Sequence, residues 1–154
     1  MTKTKIGAGD WIIVSDGRKA LLLENEGDEV FPNLKTREVR EHEDAPNRDL
    51  NSDKPGRVRQ SAASFRSSVE QTDRHQEEEE KFIVGLTTRL NELVSNGTTK
   101  HLIVVAPARV LGLIRKNCSA PVKSAIHAEF GHDLTHLPVY EIEQHLVKEM
   151  ARGG

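Results

Sequence analysis

The stretch His101-Leu102-Ile103-Val104-Val105-Ala106-Pro107-Ala108-Arg109-Val110-Leu111-Gly112-Leu113-Ile114-Arg115 decides the fold. Leu102 to Ala106 is a short continuous apolar run, which is how a strand covered on both faces reads. Pro107 suits the start of a helix, where its missing N–H is not needed. Arg115 and Lys116 then fall near the end of that helix, where cations complement its dipole. A central strand feeding a helix places the chain in the α/β class, with helices packed on a sheet. The loop from Ala106 to Arg109 lies at the carboxyl end of the strand, where open α/β sheets hold their binding sites.

Upstream, Trp11 to Val14 reads as a strand and Ala20 to Leu23 as its return. Between them Asp16-Gly17 is a two-residue hairpin signal, since both residues tolerate positive φ. Asn25 to Asp28 makes the next turn. A third strand is expected to start near Glu29-Val30-Phe31 and to resume from Leu34 to Val39, with Pro32 marking a bulge or edge. These forty residues form an antiparallel meander, which speaks against a nucleotide-binding βαβ start.

Between the meander and the central strand, Phe82, Leu86, Leu90 and Leu93 recur at helical spacing, widened by Ile83 and Val94. This predicts a helix from Thr72 to Ser95, stopped by Asn96-Gly97. Glu77 to Glu80 falls in its first half and reads as a solvated face favourable to the dipole. Four consecutive carboxylates point around a helix, so they are not a metal set. Downstream, Val122 to Phe130 fits two patterns. Val122, Ile126, Ala128 and Phe130 share the parity of a strand, while Val122, Ala125, Ile126 and Glu129 fit a helix. The strand is preferred because Gly131 ends the run. A last helix from Pro138 carries Val139, Ile142, Leu146 and Met150 on one face. The expected architecture is one α/β domain over 1–154, with a mixed sheet flanked by about three helices.

Bulk composition sets limits on function. Of the 154 residues 36% are apolar and 4% aromatic, so the core is aliphatic. A net charge of -2 argues against a protein-wide basic field for nucleic acid. Cys118 is the only cysteine, which excludes an intrachain disulfide. Met1 to Asp10 has no apolar signal region, and no run approaches the roughly 20 apolar residues of a membrane span. A soluble cytoplasmic protein without a membrane partner is expected.

Residues 41–71 change character: apolar periodicity vanishes, and a long basic loop is expected there. From Lys54 to Arg66 the chain carries Lys54, Arg57, Arg59 and Arg66 with no acid among them, and Gly56 between. Arginines so spaced suit the phosphates of RNA. Only Phe65 offers an aromatic face, so phosphate contact is expected rather than base stacking. The plainer alternative is a solvated linker.

Other candidates are weaker. His132-Asp133-Leu134-Thr135-His136 resembles a zinc-protease helix in outline, but Asp133 stands where glutamate is needed, and Gly131 and Pro138 leave no room for a long helix. In a strand or turn those two histidines do not converge, so no metal is expected. Asp133 and Thr135 read as local hydrogen-bonders that help start the last helix. Cys118 reads as a small buried hydrophobe. Neither Gly7-Ala8-Gly9 nor Ser15-Asp16-Gly17 opens a helix after a strand, so neither is a phosphate loop. Asp16, Arg109, Arg115 and Asp133 make a candidate polar pocket at the carboxyl end of the central strand. No nucleophile, base and orienting group assemble from spacing, so no catalytic residue and no cofactor are expected.

Val14-Ser15-Asp16-Gly17-Arg18-Lys19-Ala20, Lys54-Pro55-Gly56-Arg57-Val58, Val105-Ala106-Pro107 with Leu111-Gly112-Leu113-Ile114-Arg115, and Asp133-Leu134-Thr135 occur in this order. As an ordered set, from about Trp11 to Met150, they resemble the bacterial family described as "protein required for attachment to host cells". That family is similar to the central domain of archaeal and eukaryotic class-one release factors and their ribosome-rescue relatives. The resemblance implies an α/β domain with a mixed sheet and a role near translation. In release factors a long loop of this domain carries a Gly-Gly-Gln that promotes peptidyl-tRNA hydrolysis. The matching text here is Gly56-Arg57-Val58-Arg59-Gln60; Gln60 lacks the paired glycines, so release chemistry is not carried over. The leading expectation is a non-enzymatic protein that meets the ribosome or tRNA through Lys54, Gly56, Arg57, Arg59 and Arg66. Two alternatives stand beside it: a protein-interaction module supporting attachment or biofilm physiology, and a hydrolase with its site at Ala106 to Arg109.

Overall fold

The computed structural model of the chain describes residues 5–42 and 60–153, with side chains over 5–42 and 74–151. Its strands are β1 (Trp11–Ser15), β2 (Lys19–Asn25), β3 (Leu34–Glu41), β4 (Leu102–Val105) and β5 (Ile126–Phe130). Its helices are α1 (Gln60–Ser95), α2 (Ala108–Asn117), α3 (Ala120–Ala125) and α4 (Val139–Gly153). The strands form one mixed sheet in the order β3-β2-β1-β4-β5. β1 pairs antiparallel with β2, and β2 with β3, as the meander requires. β4 lies parallel to β1, in register from Trp11 opposite Leu102 to Val14 opposite Val105, and parallel to β5 on its other side.

The central strands are apolar at every position because both faces are covered. Every residue of β1 and β4 is buried. Alternation sends Trp11, Ile13, Leu22, Leu102 and Val104 to one face, where Ile83, Leu86, Leu90 and Leu93 of α1 meet Val110 and Ile114 of α2 and Val122 of α3. The other parity, with Ile12, Val14, Leu23, Ile103 and Val105, lies under Ile142, Leu146 and Met150 of α4. Each such side chain stabilises the fold by roughly 1.5–3 kcal/mol on full burial. The outer strand β3 is guarded by charge: Arg37 bonds Glu24 at 2.8 Å, and Arg89 of α1 reaches Glu38 at 2.9 Å.

Several expectations change. α1 begins at Gln60 rather than Thr72. Residues 60–71 contain no proline or glycine to stop a helix, and a helix can run through a stretch whose sequence shows no apolar period. Of the segment 41–71, residues 43–59 lie outside the described residues. With this longer helix, Glu77 to Glu80 sits near its middle, and the dipole no longer accounts for them. In Val122 to Phe130 both patterns are realised in turn. Pro121 sits in the first turn of α3, as its fixed φ favours, and the strand begins only at Ile126. Among the described residues the sheet therefore carries four helices, where about three were expected. Glu29 to Phe31 is not strand. Asp28 Oδ1 accepts the N–H groups of Val30 (2.9 Å) and Phe31 (2.7 Å) in a side-chain-closed turn, and β3 starts beyond Pro32. Gly97 ends α1 at φ +83°, as expected.

Candidate functional site

The carboxyl ends of the three parallel strands converge where β1 turns, where β4 enters α2 and where β5 leads to α4. Ala106 N–H donates to the Phe130 carbonyl at 3.0 Å and fastens the last two of these together. Pro107 precedes α2 at φ -57° with no side-chain cap.

The β1–β2 turn is closed differently from the positive-φ hairpin expected. Among the described residues only Gly9 and Gly97 have positive φ. Asp16 closes the turn instead: its N–H donates to the Lys19 carbonyl at 2.9 Å, and its Oδ1 accepts the N–H of Arg18 (2.8 Å) and of Lys19 (2.7 Å). Asp16 Oδ2 faces the Thr135 hydroxyl at 3.2 Å. That hydroxyl also lies 2.8 Å from Asp133 Oδ1, which in addition accepts the Thr135 N–H at 3.2 Å. Thr135 is 4% exposed. One buried hydroxyl thus ties the first hairpin to the segment that starts α4. Asp133 accepts a local backbone N–H, as expected, whereas the Thr135 hydroxyl meets side chains, Asp16 among them.

Gly17 lies against the flexible Glu79 side chain. A Cβ there would overlap the carboxyl group of Glu79 on α1. Glu79 is in turn forked by the Arg109 guanidinium, with Nη2 to Oε2 at 2.9 Å, and this carboxylate raises the arginine's pKa further. Neighbouring glutamates also reach other elements: Glu78 meets His42 at 3.3 Å and Glu80 meets Lys116 at 3.0 Å. Hydrogen bonds from Lys116 and Asn117 hold the Glu80 carboxyl below its usual range. The glutamate run is a row of cross-braces between α1 and the rest of the fold, more than a solvated face. Gly17, Arg18, His42, His75, Glu78 and Glu79 line a shallow depression over it.

Of the four residues of the candidate polar pocket, Asp16 and Asp133 share the Thr135 hydroxyl, and Arg109 bonds Glu79, the side chain next to Gly17. Arg115 does not join. Six residues along α2, it bonds Glu129 of β5 with Nε to Oε1 at 2.9 Å. Chemically this end of the sheet is a set of structural ties. Both Asp16 oxygens have partners, the Thr135 hydroxyl is buried between carboxylates, and Arg109 is committed to Glu79. Of the basic set, Lys54, Gly56, Arg57 and Arg59 lie outside the described residues, and Arg66 falls within α1 with its side chain not described.

A cluster not expected from the sequence lies nearby. His132, just after β5, and His145 and Glu149, on α4, bring one donor atom each within 4.8 Å of one another. The histidine pair weighed in the sequence was His132 with His136. The missed signal is His145 and Glu149 at helical i, i+4 spacing, with the third donor supplied by the tertiary fold.

Residues 11–146 match the family model described as "Protein required for attachment to host cells". A comparison with the curated proteins finds no match. Among the described residues no helix is long and apolar enough to cross a membrane.

Proposed function

We propose that this chain, which belongs to the host-attachment family, is a non-enzymatic member that binds RNA, on the ribosome or as tRNA. Lys54, Arg57, Arg59 and Arg66 contact phosphates, and Gly56 leaves the backbone free to approach them. The observation that carries this reading is one of charge. On a chain of net charge -2, residues 54–66 hold four cations and no carboxylate. The resemblance to release-factor central domains favours a setting in translation, and the lack of Gly-Gly-Gln favours binding without peptide release. The structural ties around Asp16 and Thr135 favour a binding role over hydrolysis at that end of the sheet.

The test is binding of the full chain to ribosomes and to tRNA at two salt concentrations, beside an Arg57/Arg59/Arg66→Ala variant. Affinity is expected to fall steeply with salt, and the triple variant to lower the log–log salt slope by about 2–3, at roughly 0.7–0.9 per phosphate contact. No binding at low salt refutes the proposal. A second reading, docking of a protein partner, draws on Val30 and Phe31, which are 69% and 77% exposed. They sit beside a groove that includes Ile6, Pro32, Val147 and Met150. Binding there would tolerate salt.

A further inference from the structure

We infer that His132, His145 and Glu149 form a binding site for one borderline divalent metal ion, with Zn²⁺ the best match to the donors. The site is independent of the RNA-binding segment. Two imidazoles and a carboxylate are the donor types that zinc takes, whereas calcium and magnesium call for oxygen ligands alone. The three donor atoms lie no more than 4.8 Å apart. Tetrahedral zinc with bonds of about 2.1 Å sets its ligands about 3.4 Å from one another. His132 Nε2 and Glu149 Oε2 are already 2.9 Å apart. Small side-chain rotations open that pair and draw the third donor in.

The second, separate observation is His145 itself. Its Nε2 is buried and has no hydrogen-bond partner, although its ring meets that of His132 edge-on with centroids 5.0 Å apart. A buried ring nitrogen left without a partner is unusual and calls for one. A metal bound at this nitrogen gives it the partner that neither His132 nor Glu149 supplies.

The scaffold is rigid where it must be. His145 and Glu149 stand one turn apart on α4, whose Ile142, Leu146 and Met150 are packed in the core. His132 and Glu149 keep 39% and 21% of their side-chain surface exposed, so an ion can enter from solvent. Three protein ligands leave the fourth position to water or to an exogenous ligand. Bound metal would also pin the segment after β5 onto α4, next to the Thr135 tie.

The experiment uses the full chain, stripped of metal, titrated with Zn²⁺ alone by calorimetry and with Co²⁺ by visible absorption. One equivalent is expected to bind, with the intense d–d bands of a tetrahedral site. Zn²⁺ is expected to raise the melting temperature and Mg²⁺ to leave it unchanged. Outer-shell losses alone weaken metal sites by roughly 10–100-fold, so removing a ligand in His145→Ala, His132→Ala or Glu149→Ala should cost at least about 100-fold. His127→Ala, which alters the separate stacked pair His101–His127, should bind as the parent does. Should His145→Ala fail to fold, His132→Ala, at a more exposed position, carries the test. Absence of stoichiometric binding, parental affinity in His132→Ala, or an equal loss in His127→Ala overturns the inference.

Discussion

Replacing Asp16 separates a turn-forming carboxylate from a reactive one. Asp16→Ala removes the acceptor for two backbone N–H groups, at 2.8 and 2.7 Å, and for the Thr135 hydroxyl at 3.2 Å. Bonds to a charged acceptor contribute about 1.5–3 kcal/mol each when buried, and neutral ones about 0.5–1.5. Because the Arg18 amide is exposed and water can replace its bond, the summed loss is roughly 2–3 kcal/mol. For a domain of this size that lowers the melting temperature by about 4–12 °C. Asp16→Asn behaves differently. Its amide oxygen keeps both backbone bonds, and its –NH₂ points at the Thr135 oxygen. The parent hydroxyl has one proton for two carboxylates, those of Asp16 and Asp133. In the asparagine variant that proton goes to Asp133 while the oxygen accepts from the amide, so every contact is matched. The expected change is within about 0.5 kcal/mol, as for an ordinary near-neutral substitution. Urea unfolding followed by Trp11 fluorescence reads both, since this is the only tryptophan and is 5% exposed in the core. If Asp16→Asn costs as much as Asp16→Ala, the negative charge matters in its own right, and the view of Asp16 as a structural tie fails.

Asn25, 1% exposed, donates to the carbonyls of Ile6 (3.1 Å) and Gly7 (2.9 Å) and accepts the N–H of Gly27 (2.9 Å) and Asn33 (2.8 Å). Asn25→Ala should cost roughly 3–5 kcal/mol in urea unfolding; a loss under about 1 kcal/mol would mean that water fills the vacated bonds. Burial pushes the Cys118 thiol up from 9.0 to about 11. A maleimide should therefore label it slowly in the native protein at pH 8 and quickly in urea, and equal rates would contradict its burial. Because this pKa is raised on folding, the thiol's contribution to stability is complete below pH 9 and declines as pH rises towards 11, which urea midpoints across that range can follow. Gly97 sits at φ +83° with open space around it, so Gly97→Ala should cost about 1–2 kcal/mol through backbone conformation alone. A stabilising result would show that α1 ends in another way.

What could be read in advance follows from which forces are local. β1 and β4 were legible because burial on both faces requires an apolar residue at every position, a pattern that survives without knowledge of partners. α4 and the second half of α1 were legible for the matching reason, an apolar stripe at 3.6-residue spacing. The first twelve residues of α1 were not, since their sequence shows no apolar period at 3.6-residue spacing for such a reading to use. The ties at the carboxyl end of the sheet depend on residues 119 apart in the chain, Asp16 and Thr135. Each looked like an ordinary turn former, and each is one; only the fold gives them to one another. The metal cluster follows the same logic. A helix displays His145 and Glu149 on one face whatever surrounds it, and that spacing alone makes no site. The pair acquires chemistry because β5 ends beside α4 and delivers His132 within 2.9 Å of Glu149. Local spacing proposes ligands, and strand order decides which of them meet. For that reason the histidines of 132 and 136, close in sequence, are not expected to converge, whereas those of 132 and 145 are the ones the sheet brings together.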